Sequence, residues 1–168
     1  MMAAKPSPRP PALQCRSCAG CKPRHMSPAR EPTGMPMPKQ TTVLIVDDEV
    51  GLLDEMQVAL TREGFSVLVA SSAAAALEAC TTRTDIAVAL IDVGLPGMNG
   101  FDLIEALTNR FPAASRPRTV LVTGQGSVDM VIRAIRIGAF DFLEKPMARS
   151  ELIAATHRAA NSWIKGGL

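Results

Sequence analysis

Five residues carry the chemistry that this sequence can offer. Asp47 and Asp48 follow the apolar run Thr42-Val43-Leu44-Ile45-Val46, Asp92 follows Ile86 to Ile91, Thr123 follows Thr119-Val120-Leu121-Val122, and Lys145 follows Phe140 to Leu143. Three carboxylates crowded together repel one another unless a cation joins them. Oxygen-only ligation by a few acids, completed by water, suits Mg2+ better than Zn2+. Lys145 adds a mobile positive charge and Thr123 a hydroxyl donor, and both suit the oxygens of a phosphoryl group. The set therefore reads as a phosphoryl-transfer site. Asp92, on the middle strand, is the candidate nucleophile, with the metal and Lys145 neutralising charge on the transferring group. Taken singly, each residue is ordinary. Asp47 and Asp48 would serve as loop acids or as an N-cap pair for a helix near Val50, Asp92 as a turn residue before Gly94-Leu95-Pro96-Gly97, Thr123 as a strand end, and Lys145 as a solvated loop residue before Pro146. Their joint placement at four strand ends outweighs these separate readings.

Something must bring these positions together. The four runs above and Val67-Leu68-Val69 are short, rich in β-branched residues and nearly continuously apolar, as strands covered on both faces are. Helical stretches alternate with them. Val50 to Glu63 places Leu53, Met56 and Leu60 on one face and ends at Gly64; Ser72 to Cys80 opens on a Ser N-cap. Asn99 to Arg110 aligns Phe101, Ile104, Leu107 and Phe111, and Ser127 to Ile137 aligns Val128, Val131, Ile132 and Ile135 before Gly138. Ala148 to Ile164 puts Leu152, Thr156, Ala159 and Trp163 on one stripe. Five β-α units predict a doubly wound α/β domain with a five-stranded parallel sheet. With the strand order 2-1-3-4-5, assumed from the fold class, the chemical residues converge beyond the carboxyl ends of the central strands.

Composition divides the chain. Residues 1–40 hold nine of the 13 prolines and carry net +6, whereas the remainder carries −4. The overall +2 is thus the sum of a basic tail and an acidic body, and it does not mark the folded part as a nucleic-acid binder. The tail is expected to be disordered. Within it, Cys15, Cys18, Cys21 and His25 have a spacing that could hold zinc or an iron-sulfur cluster, but the Pro and Arg surroundings favour no metal. No apolar run reaches the roughly 20 residues of a membrane span, and no secretory h-region follows the first basic residues. The expected location is cytoplasmic. Cys80, alone in the body, reads as a small core residue.

The stretches VLIVDDE at 43–49, ALIDVGLPGMNGFDLI at 89–104 and VLVTGQGSVDMVIRAIRIGAFDFLEKPM at 120–147, with their spacing, resemble a response-regulator receiver domain of two-component signalling. The resemblance covers 41–164 and implies a flavodoxin-like, CheY-like (βα)5 fold. It implies that Asp92 accepts a phosphoryl group from a histidine kinase or phosphotransfer protein, with Mg2+ as cofactor. Asp48 and Asp92 would be direct metal ligands, Asp47 would hold the metal largely through water, and the carbonyl of Gly94 would complete the set. Lys145 would pair with the acyl phosphate, Lys145-Pro146 would be a cis peptide, and Thr123 with Phe142 would form a switch pair; Phe142 lacks the hydroxyl of the Tyr frequent there. A homodimer through the fourth helix, fifth strand and fifth helix would use the family's usual exchange surface. The resemblance implies a switch that catalyses only its own phosphorylation and dephosphorylation, not an enzyme with a separate substrate.

The stretch from Thr123 to Pro146 is similar to receivers that act through attached DNA-binding or ATPase modules. With four residues after Ile164, the expectation is a receiver standing alone or cut from a longer product. Two alternatives remain. A haloacid-dehalogenase-type Mg2+-dependent phosphohydrolase would carry a D-x-D-x-T pattern after its first strand and a cap, and Asp47-Asp48-Glu49 with short loops offers neither. A scaffold that has lost phosphorylation would not need the complete acid, Thr and Lys set.

Overall fold

The computed structural model describes residues 40–166. The tail, with its Cys15, Cys18, Cys21 and His25 spacing, lies outside the described residues except for Gln40. Five strands and five helices alternate: β1 Thr42–Val46, α1 Val50–Arg62, β2 Ser66–Ala70, α2 Ala73–Thr82, β3 Ile86–Asp92, α3 Gly100–Arg110, β4 Arg118–Thr123, α4 Val128–Arg136, β5 Asp141–Glu144 and α5 Arg149–Gly166. The strands form one parallel sheet in the order β2-β1-β3-β4-β5. This is the predicted fold and order.

Local chemistry starts and stops the helices where expected. Ser72, Asn99 and Ser127 cap α2, α3 and α4 by accepting from the amides of Ala75, Asp102 and Met130. Gly64 and Gly138, at φ of 90° and 82°, end α1 and α4 in the left-handed conformation that a side chain disfavours. Two helical clusters cover the sheet. One face carries α2 and α3 through Ala76, Phe101, Ile104 and Leu107; the other carries α1 and α5 through Met56, Leu60, Leu152 and Ala159. Burial pushes the Cys80 thiol up to about 11, so it is a neutral core group.

Two expectations need correction. Only β1 and β3 are buried throughout and β4 nearly so; β2 and β5 are half-exposed, because each is an edge strand with a neighbour on one side only. The aligned stripe of α4 also faces outward: Val128 and Ile135 are 76% and 70% exposed, Val131 and Ile132 are exposed too, and the buried residue is Ala134. The helix lies against the short edge strand through Ala134, with Met130 half-buried beside it.

Candidate functional site

Every residue singled out for chemistry lies at the carboxyl end of the sheet, where parallel strands stop and the loops begin. Asp47 follows β1 and is 2% exposed. Its amide donates to the Ala70 carbonyl at 3.1 Å, and its Oδ1 accepts from the Glu49 amide at 2.9 Å, which turns the chain into α1. The N-cap of α1 is Glu49, without a side-chain cap, so Asp47 and Asp48 are not the N-cap pair. Asp92 closes β3 at 6% exposure. Its Oδ2 accepts from the Gly94 amide at 2.6 Å.

Lys145 binds these two acids together. Its Nζ lies 2.6 Å from Asp47 Oδ2 and 2.7 Å from Asp92 Oδ1. Its backbone is set by the amide, which donates to the Thr123 carbonyl at 2.7 Å, and by the cis peptide to Pro146. Burial acts to lower the pKa of this ammonium, but hydrogen bonds to Asp47 and Asp92 and their charges outweigh it and the pKa is raised. The expected mobile charge is therefore a fixed one.

Asp48 stands apart. It is exposed, and among the described residues no three acidic, His or Cys side chains are gathered closely enough to hold a metal as they stand. The expected cluster of three acids is thus two acids joined by an ammonium. The pair still suits a cation: two buried carboxylates share one positive charge, and the uncompensated negative charge is costly away from water. Mg2+ fits that oxygen-only donor set.

Thr123 is 3% exposed, and its hydroxyl is engaged within its own loop. Oγ1 accepts from the Gln125 amide at 3.2 Å and lies 3.3 Å from the Gln125 carbonyl, to which it donates. Phe142 sits opposite Leu121 on half-buried β5 and packs against the α2 and α3 side of the core.

Sequence reasoning missed Gly100. A Cβ there would collide with the Asp92 carbonyl oxygen and stand 3.0 Å from the Val93 Cα. The first residue of α3 thus packs directly under the backbone that carries Asp92, and the Gly100 amide donates to the Val93 carbonyl. A glycine at the first helical position, where helix propensity disfavours it, was the available signal. Glu144 was also missed; its Oε1 accepts from the Gly126 amide at 3.3 Å and holds the loop after β4 against β5.

Residues 43–157 match the family model described as the response regulator receiver domain. The chain belongs to that family. This receiver is 33% identical over 119 residues to the transcriptional regulatory protein FixJ of Azorhizobium caulinodans, covering 71% of this chain and 54% of FixJ. It is 32% identical over 119 residues to a putative NtrX-like response regulator of Rickettsia bellii, covering 70% of this chain and 24% of that protein. The receiver thus spans a quarter to about half the length of these curated relatives. Among solved structures, a CheY-like receiver domain protein from Methanospirillum hungatei superposes with a TM-score of 0.68 at 28% identity, covering 76% of this chain and 99% of its own. The chain is a response regulator receiver domain with the CheY-like fold, and neither the phosphohydrolase nor the scaffold reading is supported.

Proposed function

We propose that this receiver takes a phosphoryl group onto Asp92 from the phosphohistidine of a histidine kinase or phosphotransfer protein. A carboxylate oxygen of Asp92 attacks phosphorus, the P–N bond breaks, and the imidazole leaves. The observation that carries the reading is the setting of Asp92: buried, fixed by the Gly94 amide at 2.6 Å, and 2.7 Å from an ammonium. Lys145 then exchanges a carboxylate partner for a phosphoryl oxygen. Asp47, Asp48, Asp92 and the Gly94 carbonyl would hold Mg2+, which when bound neutralises charge on the transferring oxygens. Thr123 leaves its turn with Gln125 to donate to the phosphoryl group, and Phe142 moves into the space vacated, so β4 and β5 relay the change.

The outward apolar stripe of α4 supports a partner or a second copy docking on α4, β5 and α5. Residues 1–40 are dispensable for folding and phosphorylation on compositional grounds. No helix among the described residues is long and apolar enough to cross a membrane, and the cytoplasm is the proposed location. The acidic body supports a receiver that does not itself bind nucleic acid. The test is intact-mass spectrometry after incubation with acetyl phosphate and Mg2+. Wild type should gain one phosphoryl group and Asp92→Asn none; equal labelling of the two would overturn the assignment.

A further inference from the structure

At the amino end of the sheet, opposite the site just described, a cavity of about 260 Å3 opens between the start of β4, the turn before β5 and the end of α5. Arg116, Arg118, Thr119 and Ser162 line it together with Gly138 and Phe140; Thr119 alternates with Arg118 along β4, so its side chain stands on the other face of the sheet. Arg116, Arg118 and Ser162 offer guanidinium and hydroxyl donors and no carboxylate. Arg83, Arg133 and Arg158 each lie against an acid, at 2.7, 3.7 and 2.5 Å. Among the described residues no carboxylate comes within ion-pair distance of Arg116 or Arg118.

Arg118 is the more informative of the two. Its Nε is buried and has no hydrogen-bond partner. A Cβ at Gly166 would stand 2.6 Å from its Nη2, so the glycine that ends α5 makes room for the guanidinium beneath the helix. The backbone around the cavity is also fixed. The Phe140 amide donates to the Thr119 carbonyl at 2.7 Å, the Ala139 amide to the Ala134 carbonyl at 3.0 Å, and Gly138 turns at φ 82°. A partly desolvated cation without a counter-ion is costly, and a second guanidinium on the same cavity adds to that cost. Both costs fall if an anion enters.

We propose that this cavity binds a phosphate group, free or on a small ester, through Arg116 and Arg118 with the Ser162 hydroxyl. A tetrahedral anion with several acceptor oxygens suits two forks and a hydroxyl, and guanidinium is the side chain best fitted to it. The volume lies below the usual 300–1,000 Å3 of pockets for drug-sized ligands, which limits the occupant to a small one. The site is separate from the acidic one: β4 carries Arg118 at its first residue and Thr123 at its last, about 17 Å along the strand.

The experiment is a titration of the full chain with inorganic phosphate and, separately, phenyl phosphate, at constant ionic strength, followed by amide NMR. Saturable shifts at residues 116, 118, 119, 138–140 and 162 are expected in wild type and equally in Asp92→Asn. Arg116→Gln and Arg118→Gln should each weaken binding by about tenfold, the equivalent of one charge-assisted hydrogen bond. Tighter binding of phenyl phosphate, whose ring can lie on half-exposed Phe140, assigns the site to an ester; equal binding assigns it to free phosphate. Shifts that rise linearly without saturation, that are confined to the Asp92 region, or that persist unchanged in both arginine variants would overturn the proposal. Arg116 is outside the strands, so its variant keeps the test valid if Arg118→Gln does not fold.

Discussion

Replacing Lys145 by Met removes the ammonium and keeps a side chain of similar length. Its Nζ is 2.6 and 2.7 Å from the two carboxylate oxygens, which therefore lie no more than about 5 Å apart. Their mutual repulsion, about 3 kcal/mol at an effective dielectric near 20 and ~5 Å, exists with or without the lysine, so what the variant loses is the ammonium that offsets it, a loss of about 3–5 kcal/mol for a buried charge partner. Both side chains are nearly buried, at 3% and 8% exposure, so water relieves little of this. A domain holding ~5–15 kcal/mol of stability survives that loss, and Lys145→Met should fold but unfold at lower urea. The deficit should be about 3–5 kcal/mol in EDTA at pH 7. On the alkaline side, the Lys145 pKa is raised in the fold, so its contribution is complete below the free-lysine value of ~10.4 and is lost only as pH climbs through the folded value. The difference between the proteins should thus be flat from pH 6 to 9. Mg2+ should stabilise the variant more than wild type, since it alone can then compensate the pair. Equal stability in EDTA, or equal stabilisation of both proteins by Mg2+, would refute the reasoning.

Two further substitutions test the ground around Asp92. Gly100→Ala forces a methyl against the Asp92 carbonyl and should cost about 1–3 kcal/mol in urea unfolding, with slower labelling by acetyl phosphate; an unchanged midpoint would mean that α3 can shift freely at its start. Gly94→Met places a Cβ 3.0 Å from Asp92 Oδ2 and should slow decay of the phosphorylated protein after donor removal while leaving Mg2+ titration nearly unchanged, because the proposed ligand is the backbone carbonyl; unchanged or faster decay would show that access there does not limit hydrolysis.

The strands, the helix caps and the placing of Asp47, Asp92, Thr123 and Lys145 at strand ends were legible because these follow from local chemistry, whereas the sheet order that gathers those ends was assumed from the fold class and matches the observed one. Side-chain state was less so. Residue types predict that acids, Lys145 and a metal share one site, but not that the ammonium bridges Asp47 and Asp92 while Asp48 faces solvent. That choice is made by Coulomb attraction in the buried pocket and by the turn at Glu49. The stripe of α4 misled for a related reason. Periodicity places Val128, Val131, Ile132 and Ile135 together, yet it does not say whether that face or the Ala134 face meets the sheet. Gly100 was legible only as an oddity, since close backbone approach leaves no side-chain pattern.

The uneven burial bears on how the switch can work. β1 and β3 are buried at every position, whereas β5 has none buried and α4 has one. Burial of apolar surface is the main term holding an element in place, so α4 and β5 belong to the low-stability end of the fold. Thr123 lies at the boundary: it ends a buried strand, and its loop is tied to β5 by the Gly126 contact with Glu144 at 3.3 Å. In the proposed switch, a hydroxyl leaving Gln125 would therefore pull on the part of the molecule that yields most cheaply, while the platform bearing Asp47 and Asp92 would stay in place. Native-state hydrogen exchange measures this directly. Amides of α4 and β5 should exchange through openings of much lower free energy than those of β1 and β3, and Glu144→Ala should speed exchange in residues 124–136 with little effect on β1. Uniform protection across all five strands and α4 would remove the basis for a switch that moves this edge alone.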